Sequence, residues 1–525
     1  MIFLLFVVPL AFAAWPDPFD RTVGGVWPQP LKLAYSNQTI AFDPRQLKVV
    51  SKYSCDILTS AVVGFKRKLG SAKSSLKGAP LTLSISVTDT RCPAEPQLGM
   101  DESYTLTVNA SGILLTSTEV WGSIRGLETL SQLAFHSSSG PALRAASVVD
   151  APRFPHRGLL LDTSRHFYAV PVIKAMIELL AQNKMNVFHW HLTDSEAFPF
   201  KPQSYPELAN GAYDQNHVYS DVVAFARLRG VRVVPEIDTP GHARSWGKGI
   251  PQLTPRCFDT LGAETFDRAM LDPTNGQTYD ILTALFKEIF TLFPDTTAHL
   301  GGDEVEFWMT QCWMNNPNIT AYMKIWAMTT AKELEQHYFD RFLEHLKARD
   351  MPRKQFMVWQ EVLDMGLQIE GVIGHVWKGN TNTEQMEEMS KVVKAGHLAV
   401  LSSCWYLDRI SWDIDYKTYY GCDPQGFTGT SMELSRVLGG EAAMWGEMAD
   451  GSNVLSRVFP RASAVAEKLW SSKEFTTRDG AADTAYPRLL EWQCRMVQRG
   501  FPAQAANGPG FCPVEYIPSL PDLNF

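Results

Sequence analysis

Two adjacent carboxylates, Asp303 and Glu304, close an apolar run that starts at Thr297 and passes through Gly301-Gly302. Paired acids are a common means of general acid–base catalysis, so the stretch Thr297 to Trp308 is the first candidate for chemistry. A strand ending in two glycines lets the backbone turn without a side chain in the way, and both acids then emerge at its carboxyl end, where parallel α/β folds keep their active sites. Successive residues of an extended chain point to opposite sides; a bend at Gly301-Gly302 is what brings both carboxylates to one cavity.

The rest of the chain must position that pair. Its 525 residues exceed one simple core and predict two domains, or a barrel with an attached domain. A hydrophobic fraction of 45% and a charged fraction of 20% describe an ordinary globular protein, and a net charge of −8 without a lysine or arginine cluster excludes polyanion or nucleic-acid binding. Residues 2–14 are apolar and end in Ala11-Phe12-Ala13, a leader too short for a bilayer, which needs roughly 20 residues, and read here as a signal peptide over 1–14. No later stretch is long and apolar enough to span a membrane. Secretion agrees with three acceptor sequons, at Asn37, Asn109 and Asn318, and with eight cysteines. These fall into neighbouring pairs, Cys55 with Cys92, Cys257 with Cys312, Cys404 with Cys422 and Cys494 with Cys512. None has zinc-site or redox spacing, so bridges are expected, with their connectivity open.

Residues 15 to about 150 mix alternating strands, such as 81–87 and 104–108, with helical patterns at 54–69 and 122–134. This predicts a small α+β domain, a sheet covered by helices on one face. Pro152-Arg-Phe-Pro155 marks the boundary, giving domains of 15–152 and 153–525. Beyond it eight strand-like runs end in polar residues: 158–165, 185–194, 231–238, 297–304, 355–361, 371–377, 398–407 and 437–447. Amphipathic helices at 171–183, 219–229, 277–292, 321–348 and 384–395 lie between them. Eight such units predict a (β/α)₈ TIM barrel, its edge sealed by the last helices and Cys494–Cys512. A doubly wound open sheet is the alternative, but its Gly-x-Gly-x-x-Gly turn is absent.

In a barrel the strand ends share one mouth, and here acids and tryptophans dominate it: Asp194, Glu236, Asp238, Asp303, Glu304, Glu361, Asp408 and Glu447 with Trp359, Trp377 and Trp445, joined by Arg165, His191, His242 and Tyr406. Aromatic rings stack on the apolar faces of sugars while carboxylates and arginine bind hydroxyls, so the mixture points to carbohydrate.

Asp162-Thr-Ser-Arg-His166, Asn186-Val-Phe-His-Trp-His-Leu-Thr-Asp194, Asp238-Thr-Pro-Gly-His242, His299-Leu-Gly-Gly-Asp-Glu304, Val358-Trp-Gln-Glu361, Trp405-Tyr406 and Met444-Trp-Gly-Glu447 closely resemble glycoside hydrolase family 20, the β-N-acetylhexosaminidases. The likeness is closest to the eukaryotic lysosomal type and runs from about residue 22 to 515. It implies a retaining exo-hydrolase without cofactor or metal, in which the 2-acetamido oxygen of a terminal β-linked N-acetylglucosamine or N-acetylgalactosamine attacks the anomeric carbon. Glu304 then acts as acid and base with a raised pKa, and Asp303 stays ionised and holds the acetamido N–H. Tyr406 aims the acetamido oxygen, and His242 with Asp194 forms a relay behind Glu304. Arg165 and Glu447 grip the 3- and 4-hydroxyls, and Trp359, Trp377 and Trp445 box the acetamido methyl and ring face. Asp408 and Arg409 mix a residue suited to a neutral 6-hydroxyl with one suited to a 6-anion, and favour neutral substrates. A homodimer, and a lysosomal or secreted location, follow by the same resemblance.

Two rivals remain on residues alone. His189-Trp-His191 with Asp194, His242 and Asp303 resembles a metal-ligand set of a barrel hydrolase, which survival of activity in chelator tells apart. A non-catalytic glycan binder needs the tryptophans but not the acids, and release from a chromogenic β-N-acetylglucosaminide at mildly acidic pH tells that apart.

Overall fold

The computed structural model describes residues 21–70, 80–138, 140–212, 219–410 and 414–506, with Cys512, Val514 and Tyr516. The leader expected at 1–14 lies outside them.

A seven-stranded sheet comes first, from β1 (Lys32–Ala41), β2 (Lys48–Ser51), β3 (Thr82–Val87), β4 (Tyr104–Asn109), β5 (Gly112–Ser117), β6 (Ala134–Ser137) and β7 (Gly140–Asp150). Burial alternates residue by residue along β4, with Tyr104, Leu106 and Val108 inward, so one face is apolar and needs a cover. Helices Asp56–Lys68 and Val120–Gln132 supply it. The second is buried along its whole length because its far side meets the barrel. There Arg125 donates to the Gly230 carbonyl at 2.8 Å, and Glu102 accepts from both Arg125, at 2.8 Å, and Arg157, at 2.7 Å. Two guanidiniums around one carboxylate keep a buried charge compensated.

The barrel strands are β8 (His156–Asp162), β9 (Val187–Thr193) and β10 (Arg232–Ile237) and then, after a short hairpin of β11 (Cys257–Phe258) and β12 (Glu264–Thr265), β13 (Thr297–His299), β14 (Gln355–Trp359), β15 (Ile373–Val376), β16 (Leu398–Leu401) and β17 (Val437–Met444). Without the hairpin they make a closed barrel of eight parallel strands, β17 pairing with β8. Each of the eight expected runs supplies one strand.

Period-2 geometry explains what fills the barrel. Along β9, Phe188, Trp190 and Leu192 face the outer helices, which leaves His189 and His191 pointing inward. The interior is layered: Met357, Ile373 and Val400 form one apolar layer, and Leu160, Trp359, Tyr406 and Ala443 another. A polar set of His189, His299, His375, Glu236 and Glu441 lies buried inside as well, its charges compensated by short imidazole–carboxylate contacts.

The helix expected over 321–348 is two, Pro317–Ile325 and Ala331–Leu346. Ala327 is left-handed at φ 54°, and a capping box of Thr330 and Glu333 starts the second helix. Met323, Trp326 and Met328 carry the apolar spacing across the break and hide it in the sequence. The last long helix, Ala481–Gln498, ties the chain's start to the barrel: Glu491 accepts from the Gly24 and Gly25 amides at 2.8 Å, and Trp492 Nε1 donates to Asn183 at 2.8 Å.

The cysteines form four disulfides, Cys55–Cys92, Cys257–Cys312, Cys404–Cys422 and Cys494–Cys512. Such bridges belong to an oxidising compartment. Asn37, Asn109 and Asn318 all lie on the surface. Among the described residues no helix is long and apolar enough to cross a membrane.

Candidate active site

β13 stops at His299, and the chain turns through Gly301 at φ 74° and Gly302 at φ 101°. Only glycine fits the first position, because a Cβ on Gly301 would stand 1.7 Å from Asp238 Oδ1. The turn is pinned on both sides: the Gly301 amide donates to His299 Nδ1 at 3.0 Å and the Gly302 amide to Asp238 Oδ1 at 2.9 Å. Glu304 follows in the left-handed region at φ 53°, a conformation that costs a residue with a side chain about 1–2 kcal/mol. Its amide donates to the Glu361 carboxylate at 2.5 Å. Across from it His242, also left-handed at φ 49°, brings Nε2 to 3.5 Å from Glu304 Oε2. Strained backbone on both partners of one contact is what a functional site concentrates.

A cavity of about 300 Å³ opens over this turn, lined by Arg165, His242, Asp303, Glu304, Trp377, Tyr406, Asp408, Arg409, Trp445, Glu447 and Met448. Ten of the twelve residues to which the resemblance gives a catalytic or substrate-binding role therefore meet at one mouth. Trp359 and Asp194 stand one layer back. Trp359 is buried beneath the cavity, packed with Leu160, Tyr406 and Ala443, and its indole donates to Glu236 at 2.8 Å. Asp194 pairs with Arg165 at 2.8 Å and accepts from His191 at 3.0 Å. Arg165 also meets Asp162 at 3.1 Å, Glu196 at 3.0 Å and Glu447 at 3.9 Å, so its guanidinium is fixed at the cavity wall. Tyr406 is held by an isolated bridge to Ala443 on β17, between Trp377 at 6.4 Å and Trp445 at 6.5 Å. Three polar atoms of the walls, Asp303 Oδ1, Trp377 Nε1 and Asp408 Oδ1, are buried and have no hydrogen-bond partner in the protein. A polar ligand would satisfy them.

The electrostatics overturn two expectations. Burial first, and then the Asp238 carboxylate, push the Asp303 carboxyl well above the usual range, against the pull of the His242 charge. Glu304 moves the other way, because its contact with His242 outweighs its partial burial and holds it below the ordinary carboxylate value. Placement is the cause: the Asp303 side chain is 10% exposed among acids, whereas that of Glu304 is 61% exposed beside an imidazole. Burial works against a proton on His242, but Asp194, Asp303 and Asp238 together raise it well above the ordinary imidazole value. The relay gains a member beside Asp194, whose charge acts most strongly on His242. His242 Nδ1 bonds Asp238 at 2.5 Å, and the expected partner Asp194 stands 4.0 Å away.

The metal-ligand set converges only in part: Asp194 and His242 meet Asp238 in a group that could hold an ion, and His189 stands apart from it. His189 is turned into the barrel interior among Glu236, His299, His375 and Glu441, and among the described residues no group of three potential ligands joins it to Asp194, His242 or Asp303. One further contributor escaped the sequence, Met448 on the rim. Glu236, counted in the sequence among the acids at the mouth, lies instead beneath Trp359 at an inward position of a fully buried strand.

A closed parallel barrel whose strand ends gather two acids, an imidazole and aromatic rings around one polar cavity is the architecture of a glycoside hydrolase. Residues 154–473 match the family described as glycosyl hydrolase family 20, catalytic domain, and residues 26–133 a domain described as beta-acetyl hexosaminidase like. The chain is similar to beta-hexosaminidase A of Caenorhabditis briggsae, 40% identical over 541 residues that cover 98% of this chain and 97% of that protein. It is similar to beta-hexosaminidase subunit beta of Homo sapiens, 40% identical over 519 residues covering 95% and 89%. Its fold is similar to the X-ray structure of a chitobiase from Flavobacterium johnsoniae, with TM-score 0.75 and 31% identity over 89% of this chain and 72% of that one. The chain belongs to glycosyl hydrolase family 20 and is an enzyme of the β-hexosaminidase type.

Proposed function

We propose that the protein is a retaining exo-β-N-acetylhexosaminidase that removes terminal β-linked N-acetylglucosamine or N-acetylgalactosamine by substrate-assisted catalysis, without cofactor. In this reading residues 153–525 carry the chemistry and 15–152 support them, and the chain is N-glycosylated at Asn37, Asn109 and Asn318, dimerises with itself and works in the lysosome or outside the cell. The observation that carries the mechanism is Asp303 Oδ1, buried, without a hydrogen-bond partner and one residue from Glu304 on the glycine turn.

In the first step the acetamido carbonyl oxygen attacks the anomeric carbon while the glycosidic C–O bond breaks and Glu304 delivers a proton to the leaving oxygen. Asp303 accepts the acetamido N–H, whose acidity rises as the oxazolinium forms; that hydrogen bond and the growing positive charge favour its ionised form and counter the effect of burial. Tyr406 donates to the acetamido oxygen. His242, kept protonated by the surrounding acids, stands beside Glu304 and shares its proton with it. A saccharide seated over Glu304 removes it from water and raises its pKa, which counters the pull of His242 and keeps it protonated for the first step. In the second step Glu304 takes a proton from water, whose oxygen attacks the anomeric carbon and reopens the ring with the β-configuration retained. Trp377 and Trp445 flank the methyl and ring face above Trp359, and Arg165 with Glu447 holds the outer hydroxyls.

The test combines stereochemistry with one variant. The first product, followed by proton NMR, is expected to be the β-anomer, and Asp303→Asn to lower kcat about a hundredfold or more on every substrate, whatever its leaving group. An α-anomer, or Asp303→Asn with full activity, defeats the mechanism.

A further inference from the structure

Glu304 is the one acid of the site whose backbone is left-handed, and a single side chain holds it there. Its amide donates to Glu361 Oε2 at 2.5 Å, and the other carboxylate oxygen, Oε1, is clamped by Lys378 Nζ at 2.6 Å. Glu361 starts the short helix Gln360–Asp364 at the end of β14, and Lys378 follows Trp377 at the end of β15. The preceding Gln360 is buried and accepts from the Trp377 and Lys378 amides at 2.9 and 2.8 Å, so the segment carrying Lys378 is fixed to the segment carrying Glu361. Neither Glu361 nor Lys378 lines the cavity. The hydrogen bond that joins this ion pair to the site is the one to the Glu304 amide; beyond it the Lys378 ammonium stands 5.9 Å from the Trp377 ring centre and the Glu361 charge adds to what raises the Asp303 carboxyl.

We propose that Glu361, steadied by Lys378, is a positioning residue that latches Glu304 in its left-handed conformation and so aims its carboxyl at the glycosidic oxygen. The inference rests on the reading of Glu304 as the acid. Release of the amide lets Glu304 relax toward the ordinary right-handed region, which swings the carboxyl away from His242 and from the leaving group. Asp303 keeps its place, because Asp238 and His299 hold Gly302 and Gly301 independently of Glu361.

The latch matters in proportion to how much the leaving group needs protonation, and that distinguishes aim from general damage. We expect Glu361→Ala to lower kcat/KM about a hundredfold on the N-acetylglucosamine β-1,4-disaccharide and less than fivefold on the 2,4-dinitrophenyl glycoside, which departs without an acid. Glu361→Gln, which keeps an acceptor for the amide, recovers the disaccharide rate to within tenfold of the parent. Equal losses on both substrates, or a Gln variant as poor as Ala, overturn the latch. Lys378→Met decides if Glu361→Ala does not fold: a disaccharide loss at least threefold greater than the dinitrophenyl loss is expected, and an unchanged ratio refutes the proposal. Glu304→Gln is measured alongside. If it shows no leaving-group dependence, the reading of Glu304 as acid fails; if it does and Glu361→Ala does not, only the latch fails.

Discussion

Asp238 joins His242 to the turn that carries both catalytic candidates: one carboxylate oxygen meets His242 Nδ1 at 2.5 Å and the other accepts the Gly302 amide at 2.9 Å. One anion thus both adds to the charge around the imidazole and fixes the path of the chain into Asp303 and Glu304. Asp194, at 4.0 Å from His242, stands in a second rank, anchored by Arg165 and His191.

Asp238→Asn separates those two roles, because the amide oxygen still accepts from Gly302 while the charge is lost. A charge-assisted hydrogen bond is worth about 1.5–3 kcal/mol, so kcat/KM is expected to fall about tenfold to a hundredfold at neutral pH. His242 has its pKa raised by neighbouring acids, and removing one lowers it. The basic limb of the kcat/KM profile therefore moves to lower pH. A profile measured from pH 3 to 9 that keeps its basic limb in place assigns the control of His242 elsewhere.

Most of the barrel was legible because each strand ends in a polar residue after an apolar run, and the mouth of a barrel collects those ends whatever lies between. The site was legible for the same reason: Asp303, Tyr406, Trp445 and Glu447 come together from strands far apart in sequence. What the sequence hid was local. Asp194 and Asp238 both sit at strand ends near His242, and only the turn geometry decides which one bonds it. Carboxylate pKa values depend on which of two neighbouring side chains is covered; Asp303 and Glu304 are adjacent in sequence and fall on opposite sides of that division. The imidazole–carboxylate set inside the barrel reads in the sequence as isolated polar residues in buried strands.

Glu335 makes the fold itself sensitive to pH. It lies on helix Ala331–Leu346 with no exposure, and neither carboxyl oxygen has a hydrogen-bond partner in the protein. Burial, and secondly the Glu361 charge, push it up from 4.5 to about 8. Folded protein keeps this proton where the unfolded chain has lost it, so the contribution is complete below the unfolded value and declines as pH rises toward the folded one. The decline between pH 4.5 and 7 is about 3 kcal/mol. Glu335→Gln is expected to remove that slope: measured by urea unfolding, the parent loses stability between pH 4.5 and 7 by about that much more than the variant. Parallel curves for the two would show Glu335 to be ionised in the fold.

The proposed reading sets the 6-position of the bound sugar against two residues of opposite charge. Asp408 Oδ1 is buried in the cavity wall without a partner, and burial is the main cause that raises its carboxyl pKa. Arg409 lines the same cavity, its guanidinium 5.1 Å from the Tyr406 ring centre. A neutral 6-hydroxyl can donate to Asp408, whereas a 6-sulfate brings a second anion to it and gains only what Arg409 returns. Two like charges about 4 Å apart in water repel by about 1 kcal/mol, or roughly fivefold in rate. Neutral glycosides are therefore expected to be the better substrates, and Asp408→Asn is expected to raise the ratio of kcat/KM for 6-sulfated over neutral N-acetylglucosaminides about fivefold or more. The parent's ratio should climb as pH falls through the Asp408 pKa, because the protonated carboxyl no longer repels, while the variant's stays flat. A parent that prefers the sulfated glycoside at neutral pH would mean that Arg409, and not Asp408, faces the 6-substituent.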